Sequence, residues 1–480
     1  MRQILAGIDC EYGILVEGKG AEEQIEESQT LVESFSNEGS FIGWDYRFEN
    51  PRNDLRGFEL GRLEVDPNDA QFDVGRRQRN SIEVRADRVL TNGARFYNDH
   101  GHPEYATPES FSIFELANFD SEGQDIVHQV GLDSEMAVKL YKNNTDYHGA
   151  SYGTHESYSV PRSHTYEALF QAVMPMLVVR QILTGAGKVG SEEGDWCDFQ
   201  LSQRADFFVE PANAETLWRR PIFNTRDEPH ADPAQWIRMH VISGDANMNP
   251  ISTALKVGLV KLALWLLDVN EAPQWSISKP VRMFKTISRD LSFEFRIELD
   301  KGGWTNAYEI LESYFAAAEQ TLDLNEEARW VIDMSRKLLA DLRSDWDGFR
   351  RSVDWAAKYH FLNQIREEED LTWQTPILQA YDLEYSNIDP EDGLFYALRE
   401  MGEVSEPNFP STPAPHSRAF VRGVAIQKFR EHLTNVGWRG LTFGKEFVEL
   451  RPDVAYPDSI SQIDDVGTFI QSLKEIHASI

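Results

Sequence analysis

Strand-like and helix-like segments are interleaved along this chain without regular strand–helix–strand alternation. Strand patterns cover 3–12, 89–98, 137–142, 151–160, 206–210 and 236–243. Helix patterns cover about 21–37, 164–184, 245–268, 304–322 and 325–344. That order favours an α+β fold with an antiparallel sheet over a doubly wound one. At 480 residues the chain is too long for one ordinary core, so one large domain and at least one smaller one are expected. The Pro- and Ser-rich stretch 403–417, EVSEPNFPSTPAPHS, reads as the linker or covering loop between them. Residues 44–88 are polar, with little periodicity, and read as one long loop; connections of that length inside a compact domain are commonly functional.

The balance of 47 basic against 79 acidic residues gives a formal charge of −32. Such a surface repels nucleic acid backbone, so no nucleic acid partner is expected. Cys10 and Cys197 lie far apart with no metal-ligand spacing, which argues against a disulfide framework or a zinc site. The N-terminal stretch lacks a signal-peptide core, and a cytoplasmic location is expected. Residues 251–268 are the most apolar segment, but Lys256 and Lys261 interrupt it. An amphipathic, mostly buried helix is expected there, and no membrane association.

Several segments concentrate reactive side chains. In Ile8-Asp9-Cys10-Glu11-Tyr12, strand geometry puts both carboxylates on one face and the other three residues opposite. Neighbouring carboxylates repel unless a cation sits between them, and hard divalent cations prefer oxygen ligands; a solvent-facing edge strand is the plainer alternative. Residues 93–109, GARFYNDHGHPEYATPE, hold Asp99, His100, His102, Glu104 and Glu109, with Pro103 and Pro108 keeping the backbone extended or turning. Metal or acid–base work is the functional reading, a charged surface loop the bland one. His155 lies on a strand with Gly153 and Ser157 on its side, and a lone strand histidine is commonly structural. Arg204, Arg226, Asp227, Glu228, His230 and Asp232 follow; arginines there suit either salt bridges or a phosphate clamp. His240 sits on a strand, and Asp245 and Asn247 at a helix start. Gly185-Ala-Gly187-Lys-Val-Gly190 fits a dinucleotide fingerprint in letters only. It follows a helix pattern rather than a strand, and no P-loop is present, so a nucleotide would need another kind of site.

Eight stretches, GIDCEYGI (7–14), LTNGARFYNDHGHPEYATPE (90–109), LYKNNTDYHGASYGTHESY (140–158), RQILTGAGKVG (180–190), LSQRADF (201–207), NTRDEPHAD (224–232), HVISGDAN (240–247) and SRAFVRG (417–423), resemble as a set the family of Pup ligases and depupylases. The resemblance implies a glutamine-synthetase-like catalytic domain over 1–402, with a curved antiparallel sheet as a cradle and helices packed behind, and a small C-terminal domain over 418–480. It implies ATP and Mg2+ as cofactors, and as partner Pup or a Pup-like protein modifier with its conjugates. Asp99 matches the family's catalytic aspartate. Asp9, Glu11, Glu104, His155 and His240 are the implied metal ligands, with Asp9 standing where the family usually has Glu. Arg204, Arg226 and Tyr97 are the implied ATP contacts, and Trp438 is a further candidate for stacking on adenine.

Within that family, the long insertion 44–88 and the Asp-His of NDHGHPEY resemble the depupylase form, whereas ATPE (106–109) reads like the ligase. The implied activity is hydrolysis of the isopeptide bond between Pup's C-terminal Glu and a target lysine, with deamidation of a C-terminal Gln as a companion reaction. The alternative is the ligase, which forms that bond through a γ-glutamyl phosphate. A non-catalytic Pup binder and a small-molecule carboxylate–amine ligase complete the range. Pup is acidic, so this acidic chain needs a local basic groove, for which Arg76, Arg77, Arg79, Arg85 and Arg88 are candidates beside the reading of a solvated loop face.

Overall fold

The computed structural model describes residues 1–20, 23–61, 85–410 and 414–478. Arg76, Arg77 and Arg79 lie outside the described residues, as does most of the insertion. The centre of the fold is a seven-stranded sheet built from β1 (Ala6–Glu11), β2 (Ser40–Phe41), β3 (Arg88–Leu90), β4 (Arg95–Asp99), β5 (His102–Ala106), β6 (Thr154–Pro161) and β7 (Trp236–Val241). Its order is β7-β6-β1-β5-β4-β3-β2, and every neighbouring pair is antiparallel. The architecture is therefore α+β.

Alternation decides what each face of this sheet does. Ala6, Ile8, Tyr158, Val160, Ile237 and Met239 point to one side and join the main apolar core. Helices α2 (Ile113–Asp133), α3 (Tyr166–Val179) and α4 (Pro250–Asp268) contribute to that core together with later helices, whereas α1 (Gln24–Glu33) puts Leu31 and Val32 into a separate apolar cluster. Helix α4 is buried along its whole length rather than amphipathic. Its two lysines are satisfied internally: Lys256 donates to the Asp245 carbonyl at 2.7 Å, and Lys261 to the Phe111 carbonyl and Glu327 at 2.7 and 2.8 Å.

Three local expectations are corrected. The segment 89–98 is a hairpin rather than one strand, because the Asn92 side chain accepts from the Ala94 amide and Gly93 turns with φ of 89°. No strand covers 206–210; a short 3-10 turn spans Ala205–Phe207 and a strand follows at Glu210–Asn213. Asp206 fixes that turn by accepting from Lys188, Gln200, Arg289 and the Glu192 amide. Helix α4 begins at Pro250 under an Asn249 cap, five residues later than expected from the pattern starting at 245. Asp245 instead accepts from Ala186, Ser202 and Gln203, and so binds three loop positions together.

The Gly185–Gly190 stretch follows the short helix Gln181–Thr184 and runs into the two-residue strand Lys188–Val189. Lys188 is buried on Asp206 and Glu192, so it is not held out toward a ligand. Both cysteines are unpaired thiols.

The C-terminal elements are α5 (Arg418–Phe429), β8 (Leu433–Val436), β9 (Gly440–Phe443), β10 (Glu446–Glu449) and α6 (Val466–Ala478). They form their own apolar cluster, which also takes in Phe41, Trp44 and Val89. The start of the insertion is not a bare loop. Trp44 bridges Val436, Leu55 donates to the Thr225 carbonyl at 2.7 Å, and Asp227 donates back to Asn53 at 2.7 Å. Residues 44–61 thus strap the C-terminal cluster to the strand end that carries Arg226.

Candidate active site

The face of the sheet opposite the main core lines a cavity of ≈ 340 Å³. Each strand delivers its side chains by period-2 geometry. From β1 come Asp9 and Glu11, from β4 Tyr97 and Asp99, from β5 Glu104, from β6 His155 and from β7 Arg238 and His240. The registers bring them into line: Asp9 lies opposite His155 across β1–β6, and Glu11 opposite Glu104 across β1–β5.

Two groups of ligand atoms result. Asp9, His155 and His240 each place one donor atom within 4.8 Å of the others, and so do Glu11, Asp99 and Glu104. Burial is the largest influence on the acids and histidines of both groups. Burial, then the neighbouring charge of Asp99, pushes the Glu11 carboxyl up to about 7. Burial also drives Glu104 well above the usual carboxylate range, with Asp99, Glu11 and Asp9 adding to the effect. Asp9 is raised mainly by burial, against the pull of Arg238. Burial holds His155 and His240 neutral, which is the ligating form of imidazole.

Two further observations test the fit to a metal. Among the described residues neither ring nitrogen of the buried His240 has a hydrogen-bond partner, a cost that an added ligand would remove. Gly153 leaves room that any larger residue would fill, since a Cβ there would lie 2.1 Å from His155 Nε2 and 2.8 Å from Glu11 Oε1. The residues present fit divalent cations.

Asp99 ends β4 and is only half-buried. Its Oδ2 lies 3.1 Å from His100 Nδ1 and its Oδ1 3.9 Å from Arg85. Burial would raise it, but His100, Arg85 and Arg95 outweigh that and hold it ionised, well below the usual range. The charge of Asp99 in turn raises His100 to about 9. Tyr97 donates its hydroxyl to Glu104, and the Arg95 guanidinium lies 3.9 Å over its ring. Tyr97 therefore sits in the cavity wall with its polar end already engaged. His102 stacks on Tyr152 at 4.3 Å and bonds Gln24, and burial lowers it to about 4.

The arginines divide. Arg226 lines the cavity with its Nε unpartnered among the described residues and its Nη2 on Thr216. Arg204 is fully buried, gives Nη1 to the Ile242 carbonyl, and is not among the cavity-lining residues; its Nε is also unpartnered among the described residues. Trp438 lines the cavity, with Arg422 over its ring at 4.9 Å and His230 stacked at 6.0 Å. Arg85 lines the cavity too. Arg88 is instead spent on the carbonyls of Ala86, Asp87 and Glu33, which removes it from the candidates for a basic groove.

Sequence reasoning missed Arg238, which lies 3.7 Å from both Asp9 and Glu228. It sits two positions before His240 on β7, so the alternation already applied to His240 would have found it. Also missed was the buried joint at which Arg418 and Arg422 grip Glu109.

A cradle of this kind, on an antiparallel sheet backed by helices, brings carboxylates, imidazoles and guanidinium groups to one cavity. The family model described as Pup-ligase protein matches residues 4–442, and the chain belongs to that family. It is 35% identical over 462 residues to a depupylase of Acidothermus cellulolyticus, covering 91% of this chain and 90% of the relative. To a Pup deamidase/depupylase of Mycolicibacterium smegmatis it is 34% identical over 464 residues, covering 92% and 91%. Its structure is similar to that of the ligase PafA in complex with Pup, with a TM-score of 0.75, 27% identity and coverage of 98% and 93%. A PafA structure in complex with ADP aligns with a TM-score of 0.70, 28% identity and coverage of 87% and 96%.

Proposed function

We propose that this protein is a depupylase that requires ATP and magnesium. It cuts the isopeptide bond between the C-terminal Glu of Pup, or of a Pup-like modifier, and a target lysine, and deamidates a C-terminal Gln by the same chemistry. The observation that carries the reading is Asp99, paired with His100 at the edge of a cavity on whose face the strand registers align Asp9 with His155 and Glu11 with Glu104 in two groups of ligand atoms. The depupylase names of the relatives support the direction, and the PafA structures in complex with Pup and with ADP support the modifier and the nucleotide.

In this reading Asp9, Glu11, Glu104, His155 and His240 hold magnesium, and Arg204, Arg226 and Tyr97 serve the ATP side. Bound magnesium supplies charge neutralisation for phosphate oxygens and for the crowded carboxylates. The chain's own residues do the rest. Asp99, kept as a carboxylate, faces the scissile carbonyl as nucleophile or as the base that prepares one. Arg226, with its Nε unpartnered, orients an anionic group beside it. Tyr97 holds Glu104 in place. The reading also takes 1–402 as the catalytic domain, 418–480 as a small second one, and the cytoplasm as the compartment.

The test is incubation with a Pup-conjugated protein, ATP and magnesium, followed by gel and intact mass. Release of free Pup and intact target, lost in Asp99→Asn, is the expected result. Conjugate formation from free Pup and a target, with no cleavage, would overturn the hydrolytic direction in favour of the ligase.

A further inference from the structure

β4 and β5 are joined by only two residues, since Asp99 pairs directly with His102. Both have positive φ, 50° at His100 and 93° at Gly101. That is the backbone pattern of a type I′ turn, whose first position favours Asn, Asp or Gly. The turn is fixed from behind: a Cβ on Gly101 would lie 3.2 Å from Ile25 of helix Gln24–Glu33, and its amide donates to Asn98 at 3.2 Å. Histidine tolerates such a backbone better than most residues but less well than Gly or Asn, and its side chain is 55% exposed, so packing does not account for it. Its polar contact does offer an account. The left-handed backbone brings Nδ1 to 3.1 Å from Asp99 Oδ2, while Oδ1 of the same carboxylate is 3.9 Å from Arg85.

We infer that His100 is a positioning residue that tethers Oδ2 of Asp99 and leaves Oδ1 as the oxygen presented to the substrate. The inference rests on Asp99 being the reacting carboxylate, as proposed above. An untethered aspartate exchanges its two oxygens by rotation about a broad terminal torsion, so the reacting oxygen would spend part of its time turned away. A tether from the adjacent residue, itself at the cavity wall, removes that loss.

Two substitutions separate this role from a structural one. His100→Gly suits the left-handed backbone and keeps or raises Tm, whereas His100→Ala strains the turn and lowers it. Both are expected to lose kcat by the same factor, about tenfold or more, with KM for the Pup conjugate within about twofold of wild type. Retained kcat in His100→Gly overturns the inference, and so does a loss of kcat that tracks Tm. The tether is also read without turnover, by 15N resonances of the histidine rings in wild type and Asp99→Asn. A shift at His100 Nδ1 is expected, and an unchanged resonance overturns the tether. If wild type leaves the conjugate intact, the proposed reaction fails, while the Nδ1 resonance still decides the tether on its own.

Discussion

Glu104 and Glu109 come from the same run of chain, and the fold treats them oppositely. Glu104 is buried among Glu11, Asp99 and Asp9, and although the Tyr97 hydroxyl donates to it, its carboxyl is driven up. Glu109 is equally buried, but Arg422 and Arg418 outweigh the burial and hold it down. An acid matched inside the chain is a finished joint, here between the sheet and α5. An acid crowded by other acids is unfinished, with no ion-pair partner among the described residues.

This contrast can be broken experimentally. The largest effect is expected at the joint. Glu109→Gln leaves two buried guanidinium groups without their carboxylate and should cost about 3–5 kcal/mol in chemical denaturation. A loss under 1 kcal/mol would show that the joint is not a matched charge site. The same pair has a pH signature. Because the folded value of Glu109 lies below its unfolded value of about 4.3, its stabilisation is complete above that value. It is lost as pH falls through the folded value. The Tm gap between wild type and Glu109→Gln should therefore close in acid, and a gap that persists at low pH would contradict the assignment.

At the unfinished end the sign reverses. Glu104→Gln replaces a carboxyl crowded by three other acids with a neutral amide, so in EDTA its Tm should equal or exceed that of wild type. Its affinity for magnesium, read from the Tm rise on titration, should weaken by about 10–100-fold. A Tm in EDTA that drops as far as that of Glu109→Gln would erase the distinction between the two acids. Of the two variants expected to lose stability, the smaller loss is that of Gly153→Ala, whose Cβ falls 2.1 Å from His155 Nε2. It should cost only about 1–3 kcal/mol while blunting the magnesium response, because it displaces a ligand from each group.

Local pattern was legible where the chemistry is local. Alternation along 8–12 separates Asp9 and Glu11 from Ile8 and Cys10, and the structure puts the acids at the site and the others in apolar clusters. The density of acids and histidines over 93–109 pointed to the hairpin that now carries Asp99 and Glu104. What stayed hidden depends on distant partners. Arg418 and Glu109 are 309 positions apart, and nothing in either segment announces the other. The hairpin within 89–98 had a local signal in Asn92-Gly93 that the strand reading passed over, and only the approach of Gly93 to the Ala419 backbone, where a Cβ would fall 2.2 Å from the carbonyl oxygen, depends on a distant partner. Helix α4 looked amphipathic because its lysines suggested a wet face, and the carbonyls that receive them are contributed by other segments.

Those two lysines have a consequence before the chain has folded at all. By length and composition Pro250–Asp268 passes for a membrane span, with a mean hydropathy of 1.5. A lysine near the middle of a candidate span opposes insertion by about 2.5–3.5 kcal/mol, or about 5–7 for the pair. Side chains that later anchor the core thus serve, while the nascent segment is still bare, as a barrier to its capture by the lipid bilayer.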